Sequence, residues 1–505
     1  MKNKIFILFF LAFLIRFIAI DQSLWLDEAV TANVVSNFSY SEIITKFSPT
    51  DFHPPLFYLV EKFWTNIFGY SEIALRFPSI IFSLLTGWII YLIGKGWEGW
   101  KVGKLEGRNI GLWGAALFLF NPLIIYYSQE ARQYSMITML TTLIIYYLLA
   151  PRSQVPYGTW RSGVANSSKS NSSIRNDFLS WSRFASVKSL FDSAKSKIEN
   201  NLYFRDLFLS NLFIFLSLLT FYGSIFFIAA IYLWLLIKKE FKLLFSLLPG
   251  LILAVLMVFP LFIQQYTNSQ IILSSVKNWS LVLGQANLKN LLLIPIKFSI
   301  GRISFEPKII YWIVSGLWTT LLFSFILRPK MHLRGAFFLA LFFVPLVIGL
   351  IASFFTPLLQ YFRFLYLIPV FSLLIVLGMD IRSEWQKFLV VGGFLIFSFI
   401  YLLNPAYHKE DWKSLVKDLK TKTIYMIPSS SDAVKYYDKT VEIKDLKSLE
   451  SLVLENNLTV IPYTSEIHGI NYAEILENKG YKLDSERSYR ELKVEEWNKV
   501  SSSKN

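Results

Sequence analysis

Residues 335–353 read GAFFLALFFVPLVIGLIAS, nineteen consecutive positions without a charge. As a helix this stretch spans roughly 28 Å, close to the hydrocarbon thickness of a bilayer. It is one of eleven such runs. The others lie near 5–20, 77–94, 110–127, 134–150, 207–221, 223–237, 243–263, 309–327, 363–380 and 388–404. Over all 505 residues, 54% are hydrophobic and only 17% charged. That is too little polar surface to cover several soluble domains. The expected fold is a polytopic α-helical membrane protein with about eleven transmembrane helices.

Short loops give the orientation, because cytoplasmic loops collect lysine and arginine. Lys2/Lys4, Lys95/Lys101/Lys104/Arg108, Lys238/Lys239/Lys242, Arg328/Lys330/Arg334 and Arg382/Lys387 fall on one side. The opposite loops are poorer, and 21–76 carries only Lys46, Lys62 and Arg76. The N-terminus is therefore expected in the cytoplasm and the C-terminus outside, in a multi-pass cell-membrane protein. The net charge of +15 is topological on this reading, and no nucleic-acid partner is expected. The first run, with Lys2 and Lys4 before it, also has the look of a signal peptide, but Ala19-Ile20-Asp21 is a poor cleavage site. Arg16 is expected to snorkel to the headgroups.

Residues 1–404 form the expected transmembrane domain. Within it, 21–76 is a long external loop. The cytoplasmic segment 151–206 carries Phe178, Trp181, Phe184, Leu190/Phe191 and Ile198 at helical spacing, which suits an amphipathic helix on an anionic leaflet; a plain linker is the alternative. Residues 405–505 have soluble composition and read as a small extracytoplasmic α/β domain. Its expected elements are a helix from Trp412, strands Thr423–Pro428 and Leu458–Pro462, and helices Asp432–Lys439, Leu446–Asn456 and Tyr472–Lys479.

Several chemistries are excluded. There are no cysteines, hence no disulfide framework, thiolate metal site or thiol nucleophile. HExxH, GxSxG and P-loop patterns are absent. Gly94-Lys95-Gly96-Trp97-Glu98-Gly99 matches GxGxxG, yet it follows an apolar span instead of a strand, so it reads as a flexible cytoplasmic turn.

Acidic residues are scarce in the membrane half, which makes their positions informative. Asp27 and Glu28 follow the first run beside Trp25 and Leu26, where partial desolvation raises a carboxylate's proton affinity and suits it to act as a base. Asp51 and His53 precede Pro54-Pro55, which fixes the backbone and aims the imidazole; a structural histidine is the blander reading. Arg76-Phe77-Pro78-Ser79 sits where the second span begins, either as an interfacial anchor or as part of a site. The short turn Ser128-Gln129-Glu130-Ala131-Arg132-Gln133-Tyr134 presents a carboxylate, a guanidinium and a phenol together. Arginine's planar fork suits a phosphate. Arg363, in Tyr361-Phe362-Arg363-Phe364, has no acidic neighbour in sequence; Glu130 or a lipid phosphate are its candidate partners. All these groups are expected on the outer face.

In this order, the features resemble the GT-C glycosyltransferases, and within them the family-39-type enzymes, which include protein O-mannosyltransferases and aminoarabinose transferases. The matching pieces are Asp27-Glu28, His53-Pro54-Pro55-Leu56, Arg76-Phe77-Pro78-Ser79 and Ser128–Tyr134. Arg363-Phe364 is similar to the family's Arg-Tyr element, and Glu410-Asp411-Trp412-Lys413 to an acid-Asp-Trp-basic element after the last helix. Two departures stand out: the long 151–206 segment, and Thr220-Phe221-Tyr222-Gly223, which lacks a histidine that many relatives carry.

The resemblance implies a GT-C fold and a polyprenyl-phosphate-linked sugar as donor. Transfer would occur on the non-cytoplasmic side to a protein, lipid or glycan hydroxyl. Inverting transfer needs one base, for which Asp27 is the first choice with Glu28 in support. The leaving lipid phosphate needs positive charge, from Arg132, Arg363 and Arg76. Glu130, His53, Tyr134 and Asp51 are expected in supporting roles. The resemblance names no certain cofactor and leaves a divalent metal ion open, with Asp27 and Glu130 as its candidate ligands. A transporter or flippase of a lipid-linked sugar is the competing function; it would place polar groups mid-helix along a pathway, often with inverted repeats.

Overall fold

The computed structural model describes residues 2–98, 109–149, 203–328, 333–379, 383–451 and 455–500. The amphipathic helix expected within 151–206 lies outside these residues. Among the described residues, seven helices are long and apolar enough to cross a membrane: α4 (Glu72–Glu98), α8 (Tyr203–Thr220), α10 (Phe241–Ser275), α12 (Lys308–Ile326), α13 (Leu333–Ala352), the span Tyr361–Gly378 whose α-helical part is α14 (Ile368–Gly378), and α15 (Glu384–Leu403). Each falls on an expected run. The remaining runs are shorter helices: α1 (Lys2–Ile15), the pair α5 (Ile110–Leu119) and α6 (Pro122–Ser128), α7 (Tyr134–Leu149) and α9 (Ser224–Ile237). The chain is a multi-pass membrane protein.

Run 110–127 is broken, with α5 and α6 meeting at 61°. Asn121 and Pro122 explain the bend. Asn121 accepts hydrogen bonds from the N–H groups of Leu123 and Ile124 at 3.0 and 3.2 Å, and proline at the first helical position restarts the helix. The break throws the 128–134 turn toward the helix that opens the long loop, α2 (Leu26–Asn37). That loop also holds α3 (Leu56–Phe68), which follows the rigid Pro54-Pro55 pair.

Two sequence expectations are corrected here. Arg16 does not snorkel. It is wholly buried, donating to the Ala12 carbonyl, Ser83 Oγ and the Leu119 carbonyl at 2.6, 2.9 and 3.0 Å. It thereby ties α1 to α4 and α5. Nor is Gly94–Glu98 a turn: α4 runs through it to Glu98. The glycine has a packing reason, since a Cβ on Gly94 would stand 2.4 Å from the Gly111 backbone.

After α15 comes a mixed five-stranded sheet of order β2-β1-β3-β5-β4. Strand β1 (Thr423–Met426) pairs in parallel with β2 (Glu442–Asp445) and β3 (Asn457–Val460). Strands β4 (Tyr481–Tyr489) and β5 (Leu492–Lys499) close it as antiparallel neighbours, β5 beside β3. Helices α16 (Trp412–Lys417), α17 (Asp432–Tyr437) and α18 (Tyr472–Asn478) lie where helices were expected. The expected helix Leu446–Asn456 is only a 3-10 turn over Leu446–Leu449 in the described part. β2, β4 and β5 were not anticipated.

This sheet module is joined to the bundle by a shared core. Trp412, Leu415, Ala433 and Val434 pack with Leu24, Ala29, Ala32, Val35, Leu75 and Ala131. Burying that apolar set fixes where α2 sits.

The glycine contact gives a paired test. Gly94→Ala is expected to lower the melting temperature in detergent by forcing α4 and α5 apart. Gly96→Ala, with open space around it, is expected to be neutral or slightly stabilising.

Candidate active site

α2 begins with two adjacent carboxylates that meet opposite surroundings, because neighbouring helical residues point about 100° apart. Glu28 is wholly buried. It accepts from Arg76 Nε and Nη2 at 2.9 and 2.7 Å and from the Ala131 N–H at 2.9 Å, and Lys409 Nζ stands 3.0 Å away. Burial alone would raise its pKa. The charges of Arg76 and Lys409 and these hydrogen bonds outweigh burial and hold it at about 2.

Arg76, expected among the phosphate binders, is committed elsewhere. Besides Glu28 it donates to the carbonyls of Ile20, Gln22 and Ser23 at 2.5, 2.6 and 3.0 Å. All five guanidinium N–H groups are thereby used, and none is left for a ligand. Ser79, one turn along α4, donates to the Glu130 carbonyl at 2.6 Å and pins the 128–134 turn.

Asp27 differs. Its side chain is 38% exposed, and its nearest cation is Arg132 Nη2 at 3.6 Å. Arg132 is otherwise buried: Nη1 donates to the Tyr58 hydroxyl at 3.2 Å, while Nε has no hydrogen-bond partner among the described residues. Tyr58 donates to Asp51 Oδ2 at 2.9 Å, and His53 Nδ1 lies 3.7 Å from the same oxygen. A chain of polar groups thus runs from His53 through Asp51, Tyr58 and Arg132 to Asp27. Burial pushes Asp51 up, but His53 and Arg132 hold it below the ordinary carboxylate range.

Glu130 is wholly buried, and among the described residues neither oxygen finds a hydrogen-bond donor. Lys409 Nζ is 3.6 Å away. Burial raises its carboxyl to about 7 despite the pull of Lys409. Burial in turn lowers Lys409, whose ammonium also donates to the Gln129 carbonyl at 2.9 Å. Tyr134 stacks edge-on against Tyr127 and Phe362 with centroids 5.0 and 5.7 Å apart. Arg363 lies over the Phe362 ring at 6.0 Å and, among the described residues, has no ion-pair partner; Glu130 does not take that role.

The structure therefore brings together Asp27, Glu28, Asp51, His53, Arg76, Glu130, Arg132 and Tyr134, with Arg363 beside the last. Sequence reasoning missed Lys409, Tyr58 and Arg302. Arg302 follows α11 (Leu288–Ile300). It hydrogen-bonds the Tyr126 hydroxyl and covers that ring at 4.7 Å, adding a cation beside Glu130. Lys409 adjoins the Glu410-Asp411-Trp412 element, which was a usable signal; the lone Arg302 gave none. Among the described residues, no three His, Asp or Glu side chains group so as to hold a metal ion. The two candidates for one, Asp27 and Glu130, each face a cation instead.

Residues 52–154 match the model of the dolichyl-phosphate-mannose-protein mannosyltransferase family. The matched stretch holds His53, Arg76, Glu130 and Arg132, whereas Asp27 and Glu28 precede it. The fold is similar to that of ArnT from Cupriavidus metallidurans in the apo state, with TM-score 0.54 and 10% identity over 98% of each chain. It is similar also to ArnT from the same organism bound to undecaprenyl phosphate, with TM-score 0.52 and 10% identity over 99% of each chain. No curated protein sequence matches the chain. The protein has a GT-C fold. The resemblance to the family-39-type GT-C enzymes, first carried by short motifs, is borne out by fold and family match together.

Two measurements probe the buried charges. Arg76→Met leaves Glu28 with one cation in place of two and is expected to destabilise by about 3–5 kcal/mol. Lys413→Met, which breaks a half-exposed pair with Glu72, is expected to cost under about 1 kcal/mol. Glu130 gives a pH signature. Its folded pKa of about 7 exceeds the ordinary 4.5, so between those values the unfolded state binds fewer protons and stability falls as pH rises. Thermal melts from about pH 5 to about pH 8 should show wild type losing stability relative to Glu130→Gln.

Proposed function

We propose that this chain is an integral membrane glycosyltransferase that moves a sugar from a polyprenyl-phosphate-linked donor to an acceptor hydroxyl, with inversion and with Asp27 as general base. The observation that carries the reading is the contrast within one site. Glu28 and Glu130 are sealed in, while Asp27 alone of the three is open to an incoming substrate and stands 3.6 Å from an arginine with an unused Nε. A base for the acceptor hydroxyl and a cation for the leaving phosphate, held in one site, are the two groups this reaction needs. The undecaprenyl phosphate bound to the structurally similar ArnT supports a polyprenyl phosphate as the donor's carrier.

In the proposed reaction the acceptor oxygen attacks the anomeric carbon as Asp27 takes its proton. The bond from that carbon to the phosphate oxygen breaks on the opposite face, and the electron pair leaves with the polyprenyl phosphate. Arg132 balances the growing phosphate charge, aided by Arg363 and Arg302, while Arg76 serves the fold. Tyr58, fixed by Asp51 and in turn by His53, holds the guanidinium of Arg132 toward Asp27. Glu28 anchors α2 through its ion pairs and so sets the angle at which Asp27 projects. The loop charges support an N-terminus in the cytoplasm, with the site and the sheet module on the non-cytoplasmic face.

Purified protein is assayed with undecaprenyl- and dolichyl-phosphate sugars as donors and total membranes as acceptor. Asp27→Asn should reduce transfer by about 10²–10⁴-fold with undecaprenyl phosphate binding retained. Full activity in that variant would move the base elsewhere. Arg132→Met should weaken undecaprenyl phosphate binding.

A further inference from the structure

α3 is built the wrong way round for a helix in water. A soluble surface helix buries its apolar side and shows its polar side. Here the side turned inward carries Glu61, Lys62 and Thr65 beside Phe57 and Tyr58, all of them buried. The side turned outward carries Phe63, Ile67 and Phe68, which are 62%, 60% and 56% exposed. The inward polar groups hold the fold: Lys62 Nζ donates to the Val35 carbonyl of α2 at 2.9 Å, and Thr65 Oγ1 to the Glu61 carbonyl at 2.9 Å. With 13 residues α3 is about 20 Å long, too short to cross the hydrocarbon layer itself.

A contiguous exposed apolar patch marks a contact with protein or with membrane. Its continuity decides between them. Trp64 lies against Phe68 with ring centroids 4.0 Å apart and stacks on Phe77 of α4 at 5.5 Å. Phe77 meets Phe17, just after α1, at 6.3 Å. From this seam the exposed surface runs on along Phe10 and Phe6 of α1 and along Leu85 and Trp88 of α4, the outward side of a membrane span. Trp64 Nε1 donates to the Ala74 carbonyl at 2.9 Å and so fixes the indole in the seam. The patch also has a polar border, where Asn66 donates to the Tyr40 hydroxyl at 3.3 Å and Tyr70 to Asn66 Oδ1 at 3.0 Å. Tryptophan and tyrosine at the rim of an apolar belt suit the boundary between lipid and water.

We propose that α3 rests on the bilayer, with Phe63, Ile67 and Phe68 in the lipid of the leaflet on the site's side of the membrane. The inward face of the same helix carries Tyr58, which donates to Asp51 and accepts from Arg132. Arg132 therefore stands about 10 Å, one helix diameter, from the acyl chains. That is the level at which a phosphate anchored by a polyprenyl chain lies. This consequence for the donor rests on the proposed function, whereas the lipid contact does not.

The chain has no cysteine, so single cysteines can be introduced and labelled with the polarity-sensitive dye nitrobenzoxadiazole. Full-length Phe63→Cys and Ile67→Cys are compared with two references. These are Phe10→Cys on the exposed side of α1 and Lys46→Cys, where the native lysine is exposed and pairs with Glu42. Each is placed in phosphatidylcholine nanodiscs, with or without a lipid bearing a nitroxide near the top of its acyl chain, and iodide serves as the aqueous quencher. Both α3 labels should be quenched by the nitroxide lipid to within about twofold of the Phe10 label, and by iodide at least about threefold less than the Lys46 label. Iodide quenching equal to that of the Lys46 label would overturn the proposal, since α3 would then stand in water. Protection from both quenchers would overturn it too, because protein instead of lipid would cover the patch. The two α3 positions are read separately, so if one variant misfolds the other still decides. Sugar transfer plays no part in the readout, so a failure of the functional reading is told apart from a failure of this one.

Discussion

One buried carboxylate organises this protein. Glu28 sits wholly buried among Arg76, Lys409 and the Ala131 N–H, contributed by α4, by the segment after α15 and by the 128–134 turn. An unpaired charge at that depth would cost several kcal/mol, so the four segments must meet or the fold must rearrange. Because Arg76 also takes three carbonyls from 20–23, the link between α1 and α2 is drawn into the same knot. The network is better understood as a registration device than as a source of net stability, since its Coulombic gain is largely offset by desolvation.

The constraint also explains how two adjacent acids come to sit in opposite surroundings. Helical geometry turns Asp27 away from Glu28, and the lock on Glu28 leaves Asp27 in a fixed place with part of its surface free. Arg132 and Arg76 make the same contrast among the cations. Arg76 has spent every donor, while Arg132 is held at one edge by Tyr58 and keeps Nε unpaired. Availability, more than charge, separates residues suited to bind from residues that support.

Much of this was legible in the amino-acid sequence, for reasons that vary from element to element. Apolar runs mark lipid-facing or bundle-facing helices without regard to tertiary detail, which is why all seven long spans fall on them. The acid and arginine motifs stood out because charge is rare in such a chain. The role of Arg76 was misread, since nothing local reveals that Ile20, Gln22 and Ser23 turn their carbonyls toward it. Lys409 adjoins a readable element, Glu410-Asp411-Trp412, but its partners Glu28 and Glu130 are distant in the chain. β4 and β5 escaped because their many charged residues mask the alternation expected of a half-buried strand. Asn121-Pro122 was a readable break signal inside an apolar run that composition alone joined into one.

α10 has 35 residues, so it extends roughly 50 Å and outruns the hydrocarbon layer. Toward its far end Gln265 donates to the carbonyls of Ser48 and His53, and Asn268 to that of Pro49. Just beyond it the Asn278 N–H donates to the Ile467 carbonyl of the sheet module. A helix fastened at that end is not free to tilt as a rigid rod when membrane thickness changes, because it would drag the His53 loop and the module with it. Pro249 and Pro260 lie inside it before those attachments, each removing one hydrogen bond of the helix ladder. The soft points of α10 therefore fall on the side away from the segments it holds, so a helix that must bend to match lipid thickness has its weakest places there.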